Sequence, residues 1–377
     1  MNTEDKKILE DLTQTRNIAK NTQLNYIQTI KNYTESQGLT LKQLLDEAEN
    51  EEDEGIRLKN RTLKKRLITF RNYMLNEKGF SKSTLEKQIG VIKTIYYHYE
   101  IDIPKLPKFN ERQIREYDPI YYDDLPTKEL IQEAIKLSSP LMKAIILFIV
   151  SSGCAKAETL SFTIQDFITA TKDYHNSTDI YDVIDELKGK NNVVPIFKLR
   201  RRKMNKYYYT FCSPEAVDAI IYYLESRTDK LTNDKKLFKI ESSYFNTTFS
   251  ELNRQLGGHK KGAYGIIRSH MLRKFHASNL ALGENRLTHE EIDSLQGRTK
   301  KKVHESYFFD DPNELRKKYI ANMDKVLIFS ETVTIDSPEV AAIKKRNDEL
   351  ENNIDRIVEE KLRGKLEEIL RDSGYFG

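Results

Sequence analysis

The sequence predicts a mainly helical α+β protein with two domains and one small β-sheet, which lies in the second domain. Its 377 residues exceed the size at which a single hydrophobic core keeps growing, so two domains are expected. Apolar residues recur at helical spacing along most of the chain, and one region is richer in β-branched and aromatic residues. No apolar run approaches the roughly 20 residues that a membrane-spanning helix needs.

The composition argues against several classes of protein. A hydrophobic content of 38% with 32% charged residues is typical of soluble globular proteins. The N-terminal stretch MNTEDKKILEDLTQ is acidic and polar, which argues against a signal peptide. Cys154 and Cys212 lie far apart and form no CxxC pair, which argues against a disulfide framework and a zinc site. We therefore expect an intracellular, cytoplasmic protein with reduced thiols.

The first domain, predicted over residues 21–103, is a small bundle of three or four amphipathic helices. Its apolar residues recur at helical spacing in TQLNYIQTIKNYTESQG, TLKKRLITFRNYMLNEKG and STLEKQIGVIKTIYYHYE. Gly38, Gly55 and Gly79 separate these runs. The acidic run at 46–55 is predicted to lie in a connection.

An extension and a linker flank this first domain. Residues 1–20 are predicted to be an N-terminal extension. Residues 104–120 contain Pro104, Pro107 and Pro119 and show little periodicity, which is typical of an extended linker.

The second domain, predicted over residues 121–330, combines helices with a β-hairpin. The helices are expected in TKELIQEAIKLSS, PLMKAIILFIVSSG, PEAVDAIIYYLESR, SSYFNTTFSELNRQLG, SHMLRKFHASNLALG and THEEIDSLQGRT. The second of these is apolar nearly all round and is therefore predicted to be buried. Residues 179–216 are richer in β-branched and aromatic residues, with Ile196 and Phe197 before a basic turn and 207–211 after it. That pattern predicts a hairpin with basic residues near its tip.

The last segment, residues 331–377, is predicted to be a C-terminal helical tail. Ile343, Leu350, Ile354 and Ile357 recur near coiled-coil spacing amid alternating charges. The pattern supports only two or three heptads, so a packing helix is favoured over a long coiled coil.

Three basic runs are candidates for contact with phosphate, although the net charge of +4 is modest. They are KLRRRKMNK (198–206), HKKGAYGIIRSHMLRK (259–274) and GRTKKKVH (297–304). One run of this kind is usually a solvated surface, whereas three runs that converge in one fold would form a phosphate-binding face.

Two short motifs carry the candidate chemistry. HMLRKFHASNL places His270 and Arg273 three residues apart, on one face of a predicted helix. LQGRTKKKVHESYF places Arg298 directly after Gly297, and Tyr307 ten residues beyond that glycine.

The order of these motifs resembles the tyrosine recombinase and integrase family, especially its archaeal plasmid and virus members. In that family the first box holds a glycine, a catalytic arginine and a glutamate within a few residues. The corresponding stretch here reads Gly153, Cys154, Ala155, Lys156, Ala157 and Glu158. The H-x-x-R box matches His270 and Arg273, and the third box has Arg298 where histidine is usual. The nucleophile position of the family falls on Tyr307, and its hairpin lysine falls on Lys203.

This resemblance implies a site-specific DNA recombinase, or integrase, that cuts and rejoins DNA through a 3′-phosphotyrosyl intermediate without metal, ATP or another cofactor. It implies a clamp on double-stranded DNA, made of a helical SAM-like core-binding domain and a tyrosine-recombinase catalytic domain. Two protomers would bind inverted half-sites and four would form the synapse, with the C-terminal helix docking on a neighbour and the protein associated with the nucleoid. The DNA-binding side chains expected in the basic runs are Arg200, Arg201, Arg202, Lys206, Lys274, Lys300 and Lys301.

One departure from the family pattern concerns the first-box arginine, whose place is taken by Lys156 or, under another common spacing, by Ala155. A lysine ammonium neutralises charge but lacks the fork-shaped bidentate contact of a guanidinium. Loss of one such donor typically costs about 3 to 4 kcal/mol in the activation barrier, or roughly 100- to 1000-fold in rate. We therefore expect reduced activity, or a variant that holds a reaction intermediate.

The residue types themselves fit this chemistry. A tyrosine phenol has a pKa of about 10 and needs a base or nearby positive charge to become a good nucleophile. Arg273, Arg298 and Lys156 would stabilise the negative charge that accumulates on a phosphodiester under attack. Lys203 would protonate the departing 5′ oxygen, and His270 would assist proton transfer or position the phosphate.

Other interpretations stay open at this point. The alternative for Tyr307 is core packing, and for His270 and Arg273 it is a structural pair on one helix. For Lys156 and Lys203 the alternative is a solvated surface position. For Arg298 it is contact with phosphate without a catalytic role. Lys198 and Lys206 compete with Lys203 for the hairpin role, and His276 and His304 are interpreted as structural. Two rival functions are a DNA-binding relative that does not cut, and a type IB topoisomerase-like enzyme that relaxes supercoils as a monomer.

Overall fold

A computed structural model of the chain describes residues 2–108, 119–188, 190–201, 206–261, 264–298 and 311–329. The described chain is mostly helical with two small antiparallel sheets of two strands each, which confirms the predicted class. It divides into two compact units, Met1–Pro119 and Ile120–Gly377. Within the described ranges, no helix has the length and apolar character needed to span a bilayer.

The first unit is a helical bundle. Its α-helices are α1 (Thr3–Thr15), α2 (Lys20–Gln37), α3 (Leu41–Asp53), α4 (Thr62–Asn76) and α5 (Lys82–His98). Tyr33 lies at the centre, where its ring packs edge-on against Phe70 with ring centroids 5.1 Å apart. The Tyr33 and Tyr96 hydroxyl groups share a buried hydrogen bond of 2.9 Å, so the polar ends of both rings are satisfied inside the core.

The first 20 residues contribute to this bundle, whereas the sequence predicted an extension outside it. Leu9 and Leu12 of α1 are buried in the core of the unit. The side chain of Asn2 accepts a hydrogen bond from the backbone N–H of Asp5 and caps the helix. An apolar stripe on α1 is therefore covered by the other helices of the unit.

The acidic run at 46–55 lies mostly within α3, so its prediction as a connection was wrong. Leu41, Leu44, Leu45 and Ala48 bury one face of α3. Two acidic side chains of α3 form ion pairs with arginines at the start of α4. The ion pairs there are Glu47 with Arg66 at 2.9 Å and Glu52 with Arg61 at 2.7 Å.

The second unit surrounds the buried helix α7. Its elements are α6 (Lys128–Lys136), α7 (Pro140–Ser152), α8 (Lys156–Thr159), α9 (Ile164–Ala170), α10 (Ile180–Lys188), β1 (Ile196–Arg201), β2 (Lys206–Phe211), α11 (Pro214–Glu225), α12 (Ser242–Gln255), β3 (Lys260–Lys261), β4 (Tyr264–Gly265), α13 (Ser269–Leu280), α14 (His289–Leu295) and α15 (Pro312–Ile320). Every residue of α7 from Ala144 to Ser152 is buried, as predicted, and α11 and α13 pack against it.

The predicted hairpin is confirmed, because β1 and β2 pair as antiparallel strands with Arg201 opposite Lys206. Its turn, residues 202–205, lies outside the described residues. Residues 180–188 were expected in the β-rich region but form α10. Their apolar residues recur at helical spacing and pack against the core, which outweighs the β propensity of isoleucine and valine.

Several predictions fall outside the described residues. They concern most of the linker, residues 109–118, and the heptads of the tail, residues 331–377. The side chains concerned are Arg202, Lys203, Lys300, Lys301, His304 and Tyr307.

Candidate active site

Arg273 joins all three sequence boxes through backbone contacts. It lies on α13 with only 6% of its surface exposed. Its Nη1 donates to the carbonyl oxygen of Gly153, and its Nη2 donates to that of Gln296 at 2.6 Å. Both carbonyl groups lie at helix C-termini, those of α7 and α14, where the helix dipole is negative and attracts a cation. The guanidinium is therefore held rigidly between the first and third boxes.

Two glycines allow this close approach. Gly153 ends α7 with φ of +63°, and a Cβ atom there would lie 2.6 Å from Nδ1 of His276. Gly297 follows α14 with φ of +57°, and a Cβ atom there would lie 2.6 Å from the Tyr208 ring. Each position needs glycine both for its left-handed backbone and for the space around it.

Replacing Gly153 with alanine should destabilise the second unit by more than the backbone conformation alone explains. The left-handed backbone costs an L-residue about 1–2 kcal/mol, and overpacking against His276 adds about 1–3 kcal/mol. Gly258→Ala is the matched control, because Gly258 has φ of +70° but open space around its Cα. Guanidinium unfolding followed by circular dichroism compares the two variants, and equal losses would contradict the packing role.

Arg201, at the end of β1, reaches the same C-terminus of α14. Its Nη1 donates to the carbonyl oxygens of Gln296 at 3.2 Å and Gly297 at 2.8 Å. Its Nε lies 3.7 Å from Oε1 of Glu158, the buried acid of the first box. The base of the hairpin is thus tied to the glycine turn that precedes Arg298.

Positive charge gathers around His270, an exposed residue in the first turn of α13. The pKa of His270 is lowered by partial burial and then by Lys274, Arg268, Arg273 and Arg298. The second and third boxes therefore share one cluster of cations, and the imidazole is neutral at pH 7. A neutral imidazole can accept a proton or donate a hydrogen bond to phosphate.

Arg298 is the more exposed of the two candidate catalytic arginines. Its side chain is 44% exposed, and its Nη1 lies 3.4 Å from Oδ1 of Asp293. Its backbone N–H donates to the carbonyl oxygen of Asp293 at 2.8 Å, which fixes the turn after Gly297. An exposed guanidinium whose ion pair with a described residue is as long as this one remains accessible to a ligand.

Lys156 of the first box contacts α12 and not the turns at Gly153 and Gly297. Its ammonium donates to the carbonyl oxygen of Ser242 at 2.7 Å and to Oδ1 of Asn246 at 2.8 Å. It also lies 5.0 Å from the centre of the Phe245 ring. Partial burial lowers its pKa. The Lys156 ammonium is therefore bound by other groups of the protein.

His276 is a structural histidine of the site. It is fully buried, and Nε2 of Gln296 lies 3.0 Å from its Nδ1. Gln296 donates to Nδ1 in the neutral tautomer that carries its proton on Nε2. Burial, with repulsion from Arg273 and Arg298, lowers the pKa of His276 to about 3. The folded protein therefore holds this imidazole neutral.

The low pKa of His276 should make stability depend on pH. An unfolded histidine titrates near about 6.5, so the unfolded chain takes up a proton below that pH and the folded chain does not. The stability that His276 contributes is complete above about pH 6.5 and falls by about 1.4 kcal/mol per pH unit below it. His276→Asn should reduce the change in the free energy of unfolding, measured in urea, between pH 7 and pH 5. Substitution of the exposed His289 by Asn should leave that change as it is in wild type. Parallel slopes for wild type and His276→Asn would contradict this.

Sequence reasoning missed Arg268 and Gln296. Arg268 stacks over the exposed Tyr264 ring at 4.5 Å and lines a groove of about 850 Å³ that His270 also borders. Its place two residues before His270, in the second basic run, was the available signal. Gln296 offered no signal, because its contribution is a backbone carbonyl group.

The other predicted DNA-binding residues that the structure describes are Arg200, Lys206 and Lys274. Arg200 is exposed, with its guanidinium carbon 5.9 Å from the Tyr207 ring centre. Lys206 begins β2, and Lys274 belongs to the cluster around His270. Among the described residues, no group of three His, Cys, Asp or Glu side chains is arranged to hold a metal ion.

Neither the protein-family models nor the curated proteins compared with this sequence match it. The solved structures to which the chain is similar include recombinases and integrases. The Tn1549 transposon integrase in complex with transposon right end DNA is 14% identical with a TM-score of 0.46, over 83% of this chain and 97% of that chain. The XerH site-specific recombinase on palindromic difH substrate, a post-cleavage complex, is 15% identical with a TM-score of 0.43, over 67% and 68%. The XerA recombinase is 16% identical with a TM-score of 0.32, over 84% and 97%.

Proposed function

We propose that this chain is a site-specific DNA recombinase that cuts and rejoins DNA through a 3′-phosphotyrosyl intermediate, without metal or ATP. The observation that carries the proposal is the position of Arg273, which contacts Gly153 of the first box and Gln296 beside the third. Arg273 also belongs to the cluster of cations around His270. A cluster of cations of this kind favours an anion such as a phosphodiester.

In the proposed reaction, the phenol oxygen of Tyr307 attacks phosphorus and the bond from phosphorus to the 5′ oxygen breaks. His270 accepts the phenol proton, and Lys203 supplies a proton to the departing oxygen. Arg273 and Arg298 stabilise the charge on the non-bridging oxygens. Because a phosphodiester to the tyrosine oxygen replaces the one that breaks, the 5′ hydroxyl of another strand can reverse the step and reseal DNA.

The proposed partner is double-stranded DNA, bound by two protomers on inverted half-sites and by four in the synapse. The basic residues of β1 and α13 would contact phosphates on either side of the cut. Binding that depends on several phosphate contacts weakens steeply as salt rises, because condensed counterions are released.

A nicked suicide half-site tests this proposal. On such a substrate the short strand next to the cut diffuses away after cleavage, so a covalent intermediate accumulates. We expect a protein–DNA adduct that survives denaturing electrophoresis, with the linked peptide containing residue 307. Tight binding without an adduct would contradict recombinase activity.

One observation favours a second candidate, a DNA-binding relative that does not cut. The ammonium of Lys156 donates to Ser242 and Asn246. Among the described residues, the first box therefore places no cation at the turns of Gly153 and Gly297. Such a protein would keep the basic surface and the salt dependence. The same suicide half-site separates the two candidates.

A further inference from the structure

We infer that Arg201 supplies a guanidinium to the phosphate under attack, beside those of Arg273 and Arg298, in place of the arginine that the first box lacks. This inference rests on the proposed function. It assigns a catalytic role to a residue that the sequence suggested only as one of several DNA contacts.

The position of Arg201 carries the inference. Arg201 and Arg273 both donate to the carbonyl oxygen of Gln296, at 3.2 and 2.6 Å, so their guanidinium groups lie side by side. They come from different elements, β1 and α13. Both hydrogen bonds of Arg201 to described residues leave from Nη1. Nε faces the Glu158 carboxylate at 3.7 Å, whereas Nη2 has no hydrogen bond to a described residue and keeps two N–H groups that can donate to phosphate.

The first box supports the same assignment. Lys156 directs its ammonium to Ser242 and Asn246 of α12. The buried acid of that box, Glu158, instead lies beside the guanidinium of Arg201. A buried carboxylate needs a charged partner, and among the described residues its ion pair is with Arg201.

The charges around the two arginines point to an anion. Arg201 is one of the groups that lower the pKa of Arg273, after burial, and Arg298 is another. Holding guanidinium groups together costs free energy unless carbonyl dipoles, an acid or a bound anion offset the repulsion. Gln296, Gly297 and Glu158 offset part of it, and a phosphodiester between the arginines would offset more.

Arg201→Ala and Arg201→Lys test the assignment at saturating half-site DNA. We expect both variants to form the covalent adduct at least about 100-fold more slowly, because lysine keeps the charge but lacks the fork. Arg227→Ala is the matched control. Arg227 pairs with Asp229 and donates to the carbonyl oxygens of Lys236 and Leu237, so its loss removes similar contacts outside the site. Its adduct rate should stay at the wild-type value.

A second substrate separates a catalytic role from a packing role. A methylphosphonate at the cleavage position replaces one anionic oxygen with a neutral methyl group, so a guanidinium that neutralises that oxygen is no longer needed. The defect of Arg201→Ala should shrink on this substrate to within about tenfold of wild type. An equal defect on both substrates, or a wild-type rate on the ordinary phosphodiester, would overturn the assignment. A wild-type chain that forms no adduct would instead overturn the proposed function, and this inference with it.

Discussion

Replacing Tyr307 with phenylalanine should abolish covalent attachment to half-site DNA and leave binding of the duplex unchanged. The substitution removes only the phenol oxygen, which is the atom proposed to bond to phosphorus, and keeps the ring. Adduct formation is measured on the nicked half-site by denaturing electrophoresis, and binding is measured by gel shift at fixed salt. Since no other group is proposed to form the ester, the expected loss is complete.

Tyr222→Phe provides the matched control for this experiment. Tyr222 lies on α11 with 59% of its surface exposed, so loss of its hydroxyl group should change neither binding nor adduct formation. A Tyr307→Phe protein that still becomes linked to DNA would assign the nucleophile to another residue. Peptide mapping of the linked chain would then identify it.

Replacing Arg273 should produce the second largest loss, about 100- to 1000-fold in the rate of adduct formation. Arg273→Lys keeps a positive charge, but one ammonium cannot reproduce the planar fork that meets the carbonyl oxygens of Gly153 and Gln296. The rate is measured at saturating half-site DNA, so that weaker binding does not contribute. An Arg273→Lys protein with the wild-type rate would exclude Arg273 from catalysis.

Stability must be measured for the same variant, because Arg273 also has a structural role. A buried carbonyl group left without a donor costs about 1–3 kcal/mol. We therefore expect Arg273→Lys to unfold at lower denaturant concentration than wild type. Arg227→Lys is the control, since Arg227 is also buried and also donates to backbone carbonyl groups. It should lose stability without losing the rate of adduct formation.

Local signals were sufficient to predict most elements of the second unit. The stretch THEEIDSLQGRT was predicted to be helical and contains α14, whose start Thr288 and Glu291 fix with a capping box. The aromatic and β-branched runs on either side of the basic turn predicted β1 and β2. Local signals failed for α10, because isoleucine and valine suit both strands and helices, and the packing of one helical face against the core decided the outcome.

The sequence by itself determined which residues share an element. The spacing of His270 and Arg273 places both on one helix, and the glycine before Arg298 marks the end of another. Tertiary structure alone decided which groups these residues meet. Arg273 and Gly153 are 120 residues apart, and Arg201 and Gln296 are 95 apart. Periodicity along the chain specifies a face, whereas the partner across that face depends on how distant elements pack. For that reason Arg201 resembles any other arginine of a basic run in the sequence, but lies beside Glu158 and Arg273 in the folded chain.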